Sequence, residues 1–410
     1  MAEILVLGAG IVGVCSALAL QARGHAVRLV DRRGPGEETS YGNSGVIQAE
    51  ARAPVPMPRD LVTLWRVATG QTNMVRYKLS DLSGQIRTLA AYFRASGPTR
   101  YAKISQSYAP LIARAIADHA ALIGPAGANA IVRTTGLGEI YDTEGALQDA
   151  IRDAEAFAEI HGLKVRCVDG TELRREDPGI VATVPGAVIW EDPWNVSDPG
   201  GLVRAYSDLF VARGGDIERA DIADLFETGA GWEIASADGA FKAEHLVLAL
   251  GPWTPGLLAS LGYRIPMVLK RGYHGHFEME ASLSRPYHFA RHSVVATTMS
   301  KGLRITTGAH MAPLGAAEDW RQLEAGKAAF DPLLDIGAEV PDGRWHGTRP
   351  CLPGMLPCVG ALPRHKNLWV NFGHGHQGLT LGPTTGALLA ELVAGEVPAL
   401  AEPLRPGLLV

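Results

Sequence analysis

Apolar and polar positions alternate along the chain in a recognisable order. Glu3 to Leu7 is a short apolar run closed by Gly8-Ala9-Gly10-Ile11-Val12-Gly13. A stretch rich in Ala, Val and Leu follows to Gly24, and then a second apolar run, Ala26 to Val30, ends on Asp31. The pattern predicts strand, turn, helix, strand. From about Arg52 to Ile131 the spacing turns helical and gathers Trp65, Tyr77, Tyr92, Phe93 and Tyr101, after a start broken by Pro54, Pro56 and Pro58. This segment reads as an insertion out of the opening unit. Gly145 to Gly162 places Leu147, Ile151, Ala154, Phe157 and Ile160 on one helical face, and Gly201 to Arg213 repeats that style. Strands are predicted at Asp216 to Ile222, Trp232 to Ile234 and His245 to Leu250, the last ended by Gly251-Pro252-Trp253-Thr254. Pro266 to Gly308 alternates as antiparallel strands do, and a helix is predicted from about Thr385 to Val393. No internal repeat is visible.

Length and composition narrow the class. At 410 residues, 47% hydrophobic and 20% charged, the chain has the make-up of a globular protein with more than one core. Its net charge of −5 is spread without long single-sign runs, which argues against nucleic acid as a partner and for small molecules. The four cysteines lack CxxC spacing and are too sparse for a disulfide scaffold, so a reducing cytoplasm fits. The apolar N-terminus has no basic residue before it and carries glycines where a nucleotide-binding turn needs them, so it reads as mature structure. No apolar run is long enough to span a bilayer; peripheral attachment stays open.

The chemistry is concentrated in three places. Gly8, Gly10 and Gly13 stand between a strand and a helix, with Asp31 at the end of the next strand. Gly8 permits the tight turn, Gly10 lets the backbone approach a pyrophosphate, and Gly13 allows helix and strand to touch. N–H groups at Ile11 and Val12 would face phosphates, and Asp31 would accept from the adenosine ribose. This fingerprint serves NAD and FAD alike. Three later features favour FAD: the polar run from Arg32 through Thr39-Ser40-Tyr41-Gly42-Asn43-Ser44-Gly45, the apolar strand ending at Gly251, and the loop Asn371 to Thr380 ahead of a helix. That loop can turn N–H groups and a helix dipole toward the flavin N1/O2 edge, although a purely structural glycine loop reads equally well.

These segments, with LALGPWT at Leu248 to Thr254, GTRPCLPGMLPCVG at Gly347 to Gly360 and GHGHQGLTLGPTTG at Gly373 to Gly386, resemble the D-amino acid oxidase family of flavoproteins, most of all bacterial D-amino acid dehydrogenases. The resemblance runs in order along nearly the whole chain and is weakest from Arg52 to Ile131. It implies an α/β fold, with a Rossmann-type FAD-binding domain interleaved with a substrate domain built on a mixed or antiparallel sheet plus helices. The boundaries read as 1–51, 145–183, 195–262 and 340–410 for the FAD domain, and 52–144, 184–194 and 263–339 for the substrate domain. Implied FAD contacts are Gly8, Gly10, Ile11, Val12, Gly13, Asp31, Arg32, Thr39, Ser40, Asn43, Ser44, Gly45, Ile222, Ala249, Gly251, Trp253, Gly375, His376, Gln377, Gly378, Leu379 and Thr380.

Arg349 matches the arginine that pairs the substrate carboxylate, a task suited to a planar guanidinium; the acid usual after Pro353 is replaced by Gly354. Tyr273 falls where the family often places an aromatic hydroxyl near substrate, and a core tyrosine is the even alternative. His376 is placed near the flavin by resemblance. The HxH pairs His274/His276 and His374/His376 would also suit a metal, but no third ligand is visible and none is expected. Cys351 and Cys358 lack the spacing of covalent flavin attachment, so FAD is expected to be non-covalent. The implied reaction is oxidative deamination of a small D-amino acid by hydride transfer from the α-carbon to flavin N5, giving an imino acid and then a 2-keto acid. D-Proline or cis-4-hydroxy-D-proline is the alternative substrate, and an FAD-carrying subunit of a larger dehydrogenase the alternative of another class. Oxygen or a respiratory quinone would accept the electrons, the latter with the chain peripheral on an inner membrane or bound to partner subunits.

Overall fold

The computed structural model describes residues 2–237 and 239–408. The first run folds as predicted, into the strands Glu3–Leu7 and Ala26–Asp31 around the helix Ile11–Ala22. Glu3–Leu7 sits near the middle of a six-stranded sheet, ordered Asp216–Arg219, Ala26–Asp31, Glu3–Leu7, His245–Leu248, Leu368–Phe372, Cys358–Ala361. The pairings are parallel except the last. Because successive side chains face opposite ways, Ile4 and Val6 enter one core and Leu5 and Leu7 another. The first core is covered by the helices Ile11–Ala22, Pro199–Ala212 and Gly378–Val393. The second lies under a three-stranded antiparallel sheet, Ile222–Thr228, Gly231–Ser236 and Gly239–Ala243.

A ten-stranded mixed sheet forms the other layer, centred on the long strand Val268–Phe277. Two expected boundaries move. Residues 145–183, assigned by sequence to the first domain, join this larger sheet: Val165–Asp169 pairs with Gly186–Trp190, and the helix Glu144–His161 packs there through Leu147, Ala154 and Ala158. Ile160, two residues beyond Ala158, points away from that stripe and is 76% exposed. Within 340–410, Trp345–Cys351 also leaves the first domain and pairs with Val268–Phe277.

The insertion departs from the expected division as well. Its 26-residue helix Pro98–Ile123 buries Tyr108, Leu111, Ile112, Ala115, His119 and Ile123 against the core of the six-stranded sheet. The last helix begins at Gly378 rather than Thr385 and contains Pro383. Proline has no N–H to return to the carbonyl four residues back, which here is Leu379. His119 fills that vacancy: its Nε2 donates to the Leu379 carbonyl at 2.8 Å while Nδ1 accepts from the Tyr206 hydroxyl at 2.9 Å.

Both ring nitrogens are thus used by the neutral form, and burial lowers the His119 pKa to about 4. A histidine whose pKa is depressed on folding stabilises fully above its unfolded pKa of about 6.5, and that contribution fades as pH falls toward 4. His119→Phe is expected to cost roughly 1–3 kcal/mol at pH 7.5 through the orphaned carbonyl. It should also remove roughly 2 kcal/mol of the wild-type loss between pH 7.5 and pH 5. Urea midpoints of both proteins at pH 7.5 and 5 measure both effects.

Candidate active site

The site begins where the parallel strands end. Gly8 has φ +108°, and a Cβ there would lie 2.5 Å from the Ala249 carbonyl oxygen. At Gly13 a Cβ would lie 1.7 Å from the Gly8 carbonyl oxygen, so this glycine seats the helix on the strand and does not face the cleft. Asp31 grips the turn by accepting from the N–H of Ala9 at 2.6 Å and of Arg33 at 2.8 Å. Ser40 Oγ accepts from Ile11 N–H at 3.0 Å. Burial raises the Asp31 pKa, and the two N–H bonds oppose that rise.

Around this turn runs a cleft of about 440 Å³. Its walls carry Gly8, Gly10, Ile11, Val12, Asp31, Arg32, Thr39, Ser40, Ile222, Ala249, Gly251, Trp253, Gly375 and Gly378. At one end the Arg32 guanidinium lies 4.3 Å above the Trp253 ring. At the other, Ile11, Thr39, Ser40, Gly375 and Gly378 are shared with a second chamber of about 110 Å³. Asn43, Ser44, Gln48, Gly272, Trp345, Arg349, His376 and Leu379 line that chamber.

Three further residues expected to touch the cofactor lie behind those walls and support them. Gly45, at φ +75°, abuts the Val196 carbonyl. Thr380 Oγ1 accepts from Gln48 N–H at 3.1 Å. Buried Gln377 donates through Nε2 to Gln48 Oε1 at 2.6 Å and faces His376 Nε2 at 3.1 Å. Tyr273 takes the second of its two expected places, in the core. Neighbouring Gly272 faces the chamber, so strand alternation turns Tyr273 into the opposite core, where its hydroxyl accepts from Asp319 N–H and bonds His310 Nδ1.

The larger sheet delivers Arg349. It faces Lys270 across the strand pair, and its guanidinium lies directly over Gly272, where a Cβ would be 2.4 Å from Nη2. Nη1 donates to the Gly308 carbonyl at 2.8 Å and Nη2 to Thr307 at 3.0 Å. Among the described residues no carboxylate stands within 4 Å of Arg349 or of Lys270, whose Nζ donates to the Tyr92 hydroxyl at 3.0 Å. His376 faces the chamber, and its side chain is exposed there. The protein packed around it, then the Arg349 and Lys270 charges, lower its pKa, so the ring is neutral at pH 7. Burial raises the Cys351 thiol, which leaves it a poor thiolate.

Residues 3–392 match the family described as FAD dependent oxidoreductase (DAO). The chain belongs to this DAO family. It is similar to a D-amino-acid oxidase of Bradyrhizobium diazoefficiens, at 28% identity over 98% of this chain and 97% of that one. It is also similar to a D-amino acid dehydrogenase of Chromohalobacter salexigens, at 27% over 97% of each. Among solved structures, glycine oxidase from Geobacillus kaustophilus superposes with a TM-score of 0.75 at 20% identity, covering 99% of this chain and 98% of that one. L-Proline dehydrogenase from P. horikoshii superposes with a TM-score of 0.74 at 14% identity, covering 99% and 96%. These two share the DAO fold.

DAO-family proteins are FAD-dependent, and the cleft fits that cofactor. Close backbone contact at Gly8 leaves room over the turn. The helix Gly378–Val393 starts without a side-chain cap, so its first N–H groups are free beside the chamber. Asn371 Oδ1, in a cleft-lining residue, is buried without a partner. Sequence reading passed over Gln48, Trp345, Gly272 and Lys270. Gln48 directly follows the two-residue strand Val46–Ile47 and reads as its continuation, while the others matter only through cross-strand neighbours.

Asp31→Ala is expected to weaken FAD retention by about tenfold or more, since it removes the ribose acceptor and the partner of Ala9 N–H together. The ratio of absorbance at the flavin band to that at the protein band, after desalting, measures this.

Proposed function

We propose that the chain oxidises a small D-amino acid to its imino acid, which hydrolyses in water to a 2-keto acid and ammonia. The observation that carries this reading is Arg349, a guanidinium at the chamber wall with no carboxylate partner. Guanidinium has five N–H donors and two are committed to carbonyls, so three remain for a substrate carboxylate. Bound FAD supplies the hydride acceptor. Arg349 holds the carboxylate, and Gly272 beneath it lets the guanidinium lie flat and fixes where the α-carbon stands. With Arg349 cationic in the wall, Lys270 cationic behind it and His376 neutral, the chamber lies in a positive field. That field disfavours an ammonium and favours the free amine, whose lone pair forms the C=N bond as hydride leaves the α-carbon.

The relatives' names, D-amino-acid oxidase and D-amino acid dehydrogenase, support the substrate class. We favour transfer of the electrons to a respiratory quinone over oxygen, with the chain peripheral to the membrane that holds it. D-Proline or cis-4-hydroxy-D-proline is the alternative substrate within this class.

An anaerobic visible spectrum before and after adding D-alanine, D-proline, cis-4-hydroxy-D-proline, their L-isomers and sarcosine tests the reading. Bleaching by a D-isomer is expected. Bleaching only by L-isomers would overturn it, and bound FAD that none bleaches would favour a subunit role. Releasing the flavin with acid should leave none on the chain.

Arg349→Met is expected to raise KM about 100-fold with FAD retained, the loss of a charge-assisted pair worth roughly 3 kcal/mol. Gly272→Ala should push the guanidinium aside and raise KM in the same direction. Because the free amine reacts, kcat/KM should climb about tenfold per pH unit below the ammonium pKa of the substrate, and a flat profile would sink the neutral-amine argument.

A further inference from the structure

Among the described residues, half of the exposed large hydrophobic side chains lie in one short stretch. Val55, Leu61, Val62, Trp65, Leu79 and Ile86 are between 58% and 82% exposed. The helix Leu61–Ala68 buries none of its residues. Asp60 caps it by accepting from Thr63 N–H, and the Tyr77 hydroxyl donates to Ala68 O, so it is a formed helix held on the molecule with an open face. Leu61, Val62 and Trp65 lie within one turn of one another on it.

Charge distinguishes this stretch as sharply. Between residues 55 and 100 there are seven arginines and lysines against two aspartates, a net of +5 in a chain whose total is −5. Several arginines elsewhere are paired with carboxylates, as in Arg23–Glu396, Arg166–Glu176, Arg285–Glu176 and Arg344–Glu339. Among the described residues, no carboxylate lies within 4 Å of Arg59, Arg66, Lys78, Arg87, Arg94 or Arg100. Cations without a carboxylate partner, in the same stretch as exposed Leu, Ile and Trp, match an interface that is anionic at its surface and apolar just beneath.

We propose that residues 55–100 dock the protein on an anionic lipid bilayer, with Leu61, Val62 and Trp65 entering the headgroup boundary and the surrounding arginines meeting the lipid charge. A second copy of the chain is a poorer occupant, because a two-fold contact would press two patches of the same positive charge together. Nucleic acid would use the arginines but leave the apolar helix in water. The purpose this gives the patch, to bring the chain to a membrane-borne acceptor, rests on the proposed function; the docking itself does not.

The FAD-loaded full chain would be sedimented with vesicles of phosphatidylcholine alone and of phosphatidylcholine mixed with phosphatidylglycerol. Variants Leu61→Ser/Trp65→Ser and Arg66→Glu/Arg87→Glu would be compared, with oligomeric state followed by light scattering. Binding to the anionic vesicles is expected to be at least about tenfold tighter than to neutral ones, to weaken with salt, and to fall about tenfold in each variant. Bound FAD and bleaching by substrate should be unchanged in the variants. No binding, binding that both variants keep, or a wild-type dimer that the variants make monomeric would each overturn the proposal. Docking without any substrate bleaching would remove the proposed function and leave the docking surface standing.

Discussion

Three stretches of backbone meet within an atom's width where the parallel strands end. Gly13 packs on the carbonyl of Gly8, and Gly8 packs on the carbonyl of Ala249, with no room at either glycine for a Cβ. That contact locks the ends of two neighbouring strands to the start of the first helix. It therefore sets the floor of the cleft, the direction of the helix N-terminus and the position of Asp31, which bonds the same turn. The cofactor reading depends on it, because a backbone held this close presents N–H groups rather than side chains to a ligand.

The chamber is closed from the other side by a different sheet. Trp345–Cys351 crosses from the larger sheet to the cleft, and on it Arg349 lies over the bare backbone of Gly272. The third wall comes from the last helix, which is irregular by construction: Pro383 strips the Leu379 carbonyl of its helical partner, and His119 on the inserted helix supplies another. Leu379 lines the chamber, so a residue far from the flavin motifs holds part of its wall. Glycine on one side and a proline–histidine substitution on the other do the same thing, fixing backbone where side chains would be too bulky or too mobile.

Much of this was legible in the chain. The opening strand, turn and helix, Asp31 and the polar run through Ser44 are contiguous, and their chemistry follows from spacing alone. Arg349 was legible only through family resemblance. Tyr273 misled because adjacent strand residues face opposite ways: one position shifts a side chain from chamber to core, and the pattern of Lys270 to His274 does not say which. Ile160 misled for the helical counterpart of that reason, an apolar residue counted into a stripe that ends at Ala158.

The division between what the sequence determined and what the tertiary structure decided follows the range of the interactions. Hydrophobic period and glycine spacing act over a few residues, and they determined the nucleotide-binding turn, most elements of the two layers and that the cofactor is a dinucleotide. Which sheet takes Val165–Asp169 or Trp345–Cys351, which helix His119 meets and which cation stands beside Arg349 depend on partners tens to hundreds of residues away. Those choices are made by cross-strand register and by apolar stripes finding their match in space, so only the folded chain could decide them.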